Sequence, residues 1–579
     1  MGFLALLRKT SADSTLSSIF REAAEPLGPG SQVQQVGRLD VATDRHSAVT
    51  DTSGDVRILL GRNSEAHAKS DFRAALLALQ GSFATLFCPA SRDGMQVARD
   101  RFGAVPVYYV DTPAFLAVST RLACLLPFAD ERRLGRGALL ESLRFRWITG
   151  RHTLCAGVSL LGAGESLTWS RTTGGLQLKT WAPLEFTAEG PEEMDAQSQL
   201  LASALREAIG FAIGSSRKPA ILLSGGVDSS VIAAFAREVR PDVQCFIARV
   251  PGDGVEELRR ARFVSERLQL PLHEIEFDDS RIGHDLMKLV ELLEEPPRNP
   301  NSLVLMQLYR AMQQTGVDVA LNGDGAEMLL GLADTRRVAR FDAKRRSAAV
   351  LPAGLRRGLA LLLRQLDQSA AWRIARILDT TTSDFAAALD EIDYPPAIRR
   401  ELRVWGGEDL RAASCPRADL LRNPATTAAF EDALHGFQCL TTLLSTQRRH
   451  ECIARAANIE AVTPFVHSSV LSFARQLPRA LRYTDRSRPV LKRLCDDHVH
   501  PDVARWEKLG FSVPWAGWLA GSLSATLEDA LQSPALQALL PRQLLRAGAN
   551  GVSAEWNWTL LTLHAWIEVS SAVEARVSV

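Results

Sequence analysis

A glycine turn followed by one acidic residue and two serines has the composition of a phosphate-binding loop. Residues 219–223 form an apolar run too short for a helix, which predicts a buried strand. The glycines after it let the backbone approach a ligand, and free N–H groups at a helix start bind anions. A carboxylate there would repel phosphate unless a cation lay between them, so we interpret Asp228 as a Mg²⁺ ligand. The residues predicted to hold the phosphates are Ser224, Gly225, Gly226, Asp228 and Ser229.

The string S-G-G-V-D-S in this loop resembles the pyrophosphate loop of the ATP pyrophosphatases, which cleave ATP to AMP and pyrophosphate. An ordinary turn between strand and helix is the alternative, since glycine and serine are common in such turns. The loop lacks the G-x-x-x-x-G-K-[ST] pattern, and this favours adenylation over transfer of the γ-phosphate. The resemblance implies ATP and Mg²⁺ as cofactors.

A second acidic turn, N-G-D-G-A-E at 322–327, follows another apolar run. It resembles the S-G-E-G-x-D-E motif of the asparagine synthetase family, with Asp324 at the first carboxylate and Glu327 at the second. Glycines on both sides allow a sharp turn that faces both carboxylates into one cleft. The resemblance implies that Glu327 is a second Mg²⁺ ligand beside Asp228. It also implies that Gly323 lies in the nucleotide site and that Asp324 forms a polar wall near the acyl group. A turn with acidic helix caps is the alternative.

Near the C-terminus, residues 505–514 match the R-x-x-K-x-G-F-x-x-P signature of the same family. The resemblance places Lys508 where a compact cation would stabilise charge on the phosphates and on the reacting acyl centre. A lone lysine is usually exposed to solvent, so the surrounding string is what singles it out. Upstream, residues 459–465 resemble E-x-R-x-P-F, but Val462 replaces the arginine. The predicted catalytic residues are Lys508, Asp324 and Glu327.

Residues 1–190 read as strands and turns. The strings G-x-F-A at 81–84, A-R-D-x-x-G at 98–103 and T-x-x-x-G-V at 153–158 resemble the glutaminase half of the family. The resemblance implies an Ntn-hydrolase-like, β-rich domain. In that family the nucleophile is a cysteine directly after the initiator methionine, whereas Gly2 stands here and has no side chain to attack an amide. We therefore expect a degenerate glutaminase-like domain that cannot release ammonia from glutamine.

Residues 191–579 are predicted to form the ATP-binding synthetase domain. Strands and helices alternate after the glycine turn, which predicts an α/β fold with a doubly wound parallel sheet. The resemblance assigns this sheet to the ATP pyrophosphatase (adenine nucleotide α-hydrolase-like) type. A helix over 192–211 leads into it. The apolar residues predicted to share one face of that helix are Leu200, Leu201, Leu205 and Ile209.

The segment from Arg336 to Asp432 is helical in pattern and rich in Arg, Ala and Leu. Such a region is usually a solvated face over buried leucines. A groove for a peptide is the alternative, and the pattern does not decide between them.

Composition and charge limit the kinds of partner and the location that we expect. The net charge of +1 gives no reason to expect nucleic acid or a membrane surface as a partner. Eight cysteines without a C-x-x-C pair favour reduced thiols. Residues 1–7 are too short for a signal peptide, and no apolar run reaches the length of a membrane span. We expect a cytoplasmic protein.

The family's chemistry is adenylation of a carboxylate followed by attack of a nitrogen nucleophile. Gly2 disfavours a glutamine-fed asparagine synthetase, and a β-lactam or carbapenam synthetase would carry a tyrosine at the position of Asp324. Elimination and resemblance together predict a lasso peptide cyclase, which closes a macrolactam ring in a leader-free precursor peptide. Its expected partners are that peptide, a leader peptidase and a leader-recognition protein.

Two other functions are the alternatives to a cyclase. An amide ligase that uses ammonia or another amine in a natural-product pathway is the alternative among enzymes. A protein that merely holds ATP is disfavoured, because Asp228, Glu327 and Lys508 are all present.

Overall fold

The computed structural model describes residues 2–9, 14–28, 31–36, 38–44, 47–52, 55–61, 71–129, 133–145, 147–187, 190–250, 254–332, 335–364, 371, 374, 375, 377, 378, 392, 394–420, 427–484, 487–509, 513–550 and 553–577. The strands are β1 (Phe3–Arg8), β2 (Gln32–Val36), β3 (Leu39–Thr43), β4 (Ser47–Thr52), β5 (Asp55–Leu60), β6 (Ala84–Cys88), β7 (Gly94–Arg99), β8 (Tyr108–Asp111), β9 (Phe115–Ser119), β10 (Ser159–Leu160), β11 (Glu165–Ser170), β12 (Gly175–Thr180), β13 (Pro219–Leu222), β14 (Gln244–Arg249), β15 (Leu272–Glu276), β16 (Val319–Leu321) and β17 (Glu460–Val462).

The helices are α1 (Ser14–Ala23), α2 (Phe72–Ala78), α3 (Arg136–Arg144), α4 (Met194–Ile213), α5 (Val227–Val239), α6 (Val255–Leu268), α7 (Ile282–Leu293), α8 (Asn301–Gln314), α9 (Ala326–Leu330), α10 (Thr335–Ala348), α11 (Ala353–Arg364), α12 (Pro396–Leu420), α13 (Thr427–Gln438), α14 (Leu444–Ala456), α15 (Ser468–Gln476), α16 (Arg479–Arg482), α17 (Pro489–His498), α18 (Pro501–Arg505), α19 (Trp515–Ala520), α20 (Ser524–Gln532), α21 (Pro534–Leu539), α22 (Arg542–Ala549) and α23 (Ala554–Val577). A π-helical turn at Cys439–Leu443 joins α13 to α14.

Two antiparallel six-stranded sheets stack face to face in the N-terminal half, in the orders β10-β8-β9-β1-β3-β2 and β12-β11-β7-β6-β5-β4. Alternate side chains of a strand point to opposite faces, and β1 shows this clearly. Phe3, Ala5 and Leu7 pack between the sheets, whereas Leu4 and Leu6 pack beneath α1. On the far side, α2 covers the second sheet. The layers therefore run helix, sheet, sheet, helix.

A five-stranded parallel sheet in the order β15-β14-β13-β16-β17 organises the C-terminal half. Both of its faces are buried, since the neighbouring residues Ala220 and Ile221 belong to separate apolar clusters on opposite sides. The strand order reverses between β13 and β16. Ligands of doubly wound sheets bind at such a switch point, beyond the carboxyl ends of the strands. The predicted α/β class and the doubly wound sheet are confirmed, and both predicted acidic turns lie at this point.

Buried arginines join the two halves. Arg448 Nη2 donates to the Tyr108 hydroxyl at 2.6 Å, and its Nη1 lies 2.9 Å from Glu295 Oε2. Arg121 Nε, from the N-terminal half, donates to Glu294 Oε1 at 3.1 Å. The predicted boundary between residues 190 and 191 stays a prediction, and α4 begins three residues after it.

One prediction about burial is wrong. Leu201, Leu205 and Ile209 are buried as expected, but Leu200 is half exposed, because its position on α4 points away from the face that packs on the sheet. For the helical segment, where the pattern leaves buried leucines and a peptide groove as alternatives, several leucines of α11 face solvent. Within the predicted helical segment, α10, α11 and α12 are helical, and much of the sequence between 365 and 395 lies outside the described residues.

A search of the described residues for a helix that could cross a membrane finds none.

Candidate active site

The first predicted loop closes on itself through its serines. The Ser224 N–H donates to Ser229 Oγ at 3.3 Å, and the Gly226 N–H donates to Ser224 Oγ at 3.4 Å. The following helix, α5, has Gly226 as its N-cap residue, so no capping side chain occupies its first N–H groups. Long, weak bonds of this kind leave the loop donors available to an anion at the helix N-terminus.

Close backbone packing explains why glycine is needed at two positions. Gly225 has φ +73°, and a Cβ there would lie 2.5 Å from the backbone of Arg260 and Ala261 on α6. Gly323 lies against the other loop, since a Cβ there would be 3.0 Å from the Ser229 N atom. The turn after β16 therefore packs directly on the turn after β13.

Two cations hold the predicted metal carboxylates. Arg488 Nη1 contacts both carboxylate oxygens of Asp228, while its Nη2 lies 3.4 Å from Glu327 Oε1. Lys508 Nζ pairs with the other oxygen of Glu327. Burial raises the pKa of Asp228 above its usual value, and the Arg488 guanidinium opposes that shift. The two predicted metal ligands, Asp228 and Glu327, therefore face the same place in the site, where the Arg488 guanidinium contacts both.

A row of contacting polar side chains begins at Asp324. Its Oδ2 lies 2.8 Å from His450 Nε2, and His450 Nδ1 is 2.9 Å from the hydroxyl of the fully buried Tyr309. Burial alone would raise the pKa of Asp324, but His450, Arg449 and Lys508 hold it below its usual value. Asp324 is therefore ionised at neutral pH, with a histidine behind it that could take or give a proton.

The segment that carries Lys508 is tied to the first loop. Arg260 Nη1 donates to the Glu507 carbonyl at 2.7 Å, and the Arg260 guanidinium lies 5.0 Å from the centre of the Trp506 ring. Arg260 is also the residue whose backbone packs on Gly225. The Lys508 side chain is 56% exposed and open to a substrate. Residues 510–512 of the predicted string lie outside the described residues.

The structure brings the predicted residues together and adds three that the sequence analysis missed. Asp228, Glu327 and Lys508 meet through Arg488, and Asp324 contacts His450. Only a weak sequence signal marks Arg488, which is a basic residue before a helix-starting proline. In the structure it adopts φ +54°, which is uncommon outside glycine. His450 and Tyr309 carried no sequence signal, because His450 is far in sequence from Asp324 and lies 141 residues from Tyr309.

In the N-terminal half, Gly2 occupies a tightly packed place. Its N–H donates to Asp44 Oδ2 at 2.5 Å, and its backbone has φ +139°. A Cβ at this position would collide with the hydroxyl of Thr120. That hydroxyl also accepts a hydrogen bond from the Phe3 N–H at 3.1 Å, so it is fixed in place.

Gly225 and Gly316 give a matched pair of substitutions. Gly225→Ala should weaken ATP binding at least tenfold and lower stability by about 1–3 kcal/mol, because it combines positive φ with overlap on the α6 backbone. Gly316→Ala is the control, because Gly316 also has a positive φ, +81°, but a Cβ there would meet nothing within 4 Å and the residue lies outside the nucleotide site. Calorimetric titration with ATP and thermal unfolding measure both effects. Equal behaviour of the two variants would contradict the packing argument.

Comparison with known protein families agrees with this architecture. The model of the asparagine synthase family matches residues 200–568, and the model of a glutamine amidotransferase domain matches residues 46–181. The first match spans both loops of the site and the segment that carries Lys508.

Three curated relatives illustrate the range of sequence identity and coverage. Asparagine synthetase [glutamine-hydrolyzing] 1 of Bacillus subtilis is 22% identical over 532 residues, which are 90% of this chain and 81% of the relative. A putative asparagine synthetase [glutamine-hydrolyzing] of Mycobacterium tuberculosis is 23% identical over 568 residues, 93% and 84% of the two chains. The carboxyethyl-arginine beta-lactam-synthase of Streptomyces clavuligerus is 27% identical over 258 residues, 44% and 47%. The chain belongs to the asparagine synthase family and is an ATP-dependent carbon–nitrogen ligase.

Proposed function

We propose that this ligase is a lasso peptide cyclase. It adenylates the side-chain carboxylate of an Asp or Glu in a leader-free precursor peptide and releases pyrophosphate. The N-terminal amine of the same peptide then attacks the acyl adenylate, which forms an isopeptide bond, closes a macrolactam ring and releases AMP. A leader peptidase and a leader-recognition protein would supply the peptide, in the cytoplasm.

The observation that carries this proposal is the packing of Gly2. A glutamine-fed enzyme needs a nucleophile in the N-terminal domain, and Gly2 supplies no side chain. The Thr120 hydroxyl fills the space that a side chain would need. The nitrogen nucleophile must then come from elsewhere, and an amine carried by the substrate itself meets that requirement.

The site is suited to Mg²⁺ bound with ATP. Magnesium prefers oxygen ligands and is usually held by one or two carboxylates together with nucleotide phosphates. Asp228 and Glu327 supply two such carboxylates, and among the described residues no group of three or more His, Cys, Asp or Glu forms a protein-only metal site. When bound, the metal would neutralise charge on the phosphates. Arg488 contacts both carboxylates, and Asp228 and Glu327 would hold the metal in place of those contacts.

The same geometry supports the attack of an amine. A peptide α-amine has a pKa of about 7.7–8.0, so most of it is protonated at neutral pH and cannot attack. Because the pKa of Asp324 lies below its usual value, its carboxylate is a weak base; it would hold the amine by a hydrogen bond and leave the unprotonated fraction of the amine to attack. Lys508 would stabilise the charge on the tetrahedral centre.

The experiment uses synthetic peptides that carry a free N-terminus and one Asp or Glu at varied positions. With ATP and Mg²⁺, we expect a product lighter than the linear peptide by one water, together with AMP and pyrophosphate. N-acetylated copies of the peptides are the matched control, because they can be adenylated but cannot cyclise. Mass spectrometry of the product and a pyrophosphate assay measure both steps.

Two further arms decide between the alternatives. Aspartate with ammonium chloride tests an ammonia-dependent amide ligase, and asparagine formed there without any peptide cyclisation would contradict the cyclase proposal. Glutamine tests the N-terminal domain. We expect no more glutamate than a heat-denatured sample releases, and a higher yield would overturn the interpretation of Gly2.

A further inference from the structure

The helix α11 presents an apolar surface to solvent. Leu355 is 52% exposed, Leu361 is 61% exposed and Leu362 is 62% exposed, while Val350, just before the helix, is 87% exposed. On a helix of 3.6 residues per turn, Leu355, Leu359 and Leu362 lie on one stripe. We call this stripe of three leucines the α11 apolar face; Leu361 lies about 120° away from it round the helix. Exposure of this many large apolar side chains in one place marks an interaction site.

The opposite side of α11 is the one that packs on the protein. Ala360 is fully buried with Ala375 and Leu378, and Leu363 is partly buried against them. The helix therefore has an inward face of its own, and the α11 apolar face is a separate surface. The four main cavities of the described part of the chain are lined by other residues. The surface is a convex helix rather than a groove.

Basic residues are concentrated in the segment that contains this face. Residues 335–364 contain eight arginines and one lysine but only one acidic residue, Asp342, in a chain whose net charge is +1. Arg345 and Arg346 pair with Asp342. Arg340, Lys344 and Arg357 are exposed on α10 and α11. The chain as a whole is therefore nearly neutral, but this segment has a local net charge of +8.

We propose that α10 and α11 form a docking surface for an anionic lipid bilayer. An amphipathic helix with exposed leucines and flanking arginines lies in the plane of such an interface, with its apolar side chains among the acyl chains and its cations at the headgroups. A fluid bilayer also makes no demand for shape complementarity, which suits a convex helix. The net charge of +1 for the whole chain gives no reason to expect a membrane as a partner, but the local net charge of +8 in residues 335–364 does.

The test is flotation of the full chain with vesicles. Wild-type protein is expected to float with vesicles of phosphatidylglycerol and phosphatidylcholine in equal parts, and to remain unbound with phosphatidylcholine alone. High salt should weaken the binding, because the arginines act through screened charge. The double variant Leu355→Gln, Leu362→Gln should bind at least about tenfold more weakly, since two leucine side chains are no longer buried in the acyl region.

The control is the double variant Leu77→Gln, Leu200→Gln, which removes two exposed leucines from other helices and should float like wild type. None of these residues belongs to the nucleotide site, so pyrophosphate release should be unchanged in every variant. Equal binding to neutral vesicles, or loss of binding in the control, would overturn the proposal. So would a failure of wild type to float. If that failure came with a dimer that the α11 variant dissociates, a second copy of the chain would be the occupant.

Discussion

AMP formation is expected to fall below detection when Asp228 is replaced by asparagine or Glu327 by glutamine. Each substitution keeps the size of the side chain but removes a negative charge from the point where both carboxylates meet. A nucleotide-bound magnesium ion relies on very few protein ligands, so the loss of one cannot be compensated by the others. Pyrophosphate release measures the reaction. Electron paramagnetic resonance of Mn²⁺ with a non-hydrolysable ATP analogue measures metal binding independently of turnover.

The fold should survive these changes, because Arg488 keeps one of its two carboxylate partners in each variant. Asp242→Asn is the matched control, since Asp242 is exposed and paired with Arg240 at the surface. It should leave AMP formation unchanged. A variant of Asp228 or Glu327 that still forms AMP at nearly the wild-type rate would show that this residue is not a metal ligand.

Replacing Lys508 by alanine should separate binding from chemistry. Lys508 is expected to stabilise charge that develops in the transition states, and such interactions lower the rate far more than they weaken ground-state binding. The loss of one donor of this kind typically costs about 3 kcal/mol, or about a hundred-fold in rate. The variant should therefore bind ATP almost normally but form little product. Calorimetry with ATP and the mass of the product measure the two effects.

The conservative variant Lys508→Arg should recover little of the rate, because a broad planar guanidinium does not replace a compact ammonium. Lys288→Ala is the control, a surface lysine paired with Glu291. Loss of ATP binding in Lys508→Ala would make the lysine a substrate clamp instead. A variant with the wild-type rate would remove Lys508 from the reaction.

Local pattern accounts for the parts of this molecule that could be predicted. The apolar run before Ser224 and the glycines after it depend on neighbouring residues only, so the strand, the turn and the helix start are readable from sequence. The alternation of strands and helices then implies a parallel sheet, and a parallel sheet implies a site at its carboxyl edge.

The partners of the site could not be predicted in the same way. Arg488 reaches Asp228 across 260 residues, and Tyr309 reaches His450 across 141. Such contacts depend on how whole elements pack, and no local pattern records them. The α11 apolar face was missed for a related reason. Periodicity shows that a helix has an apolar stripe, but only the tertiary structure shows whether that stripe faces the core.

The contact between Gly2 and Thr120 bears on the evolution of the N-terminal domain. A side chain at position 2 would collide with the Thr120 hydroxyl, and removing that hydroxyl deprives the Phe3 N–H of its acceptor. Either mutation alone therefore damages the packing of the sheet, and only the pair could make room for a nucleophile. A lineage with this sequence would need changes at both positions to place a side chain at residue 2, so a single substitution at either position does not lead there.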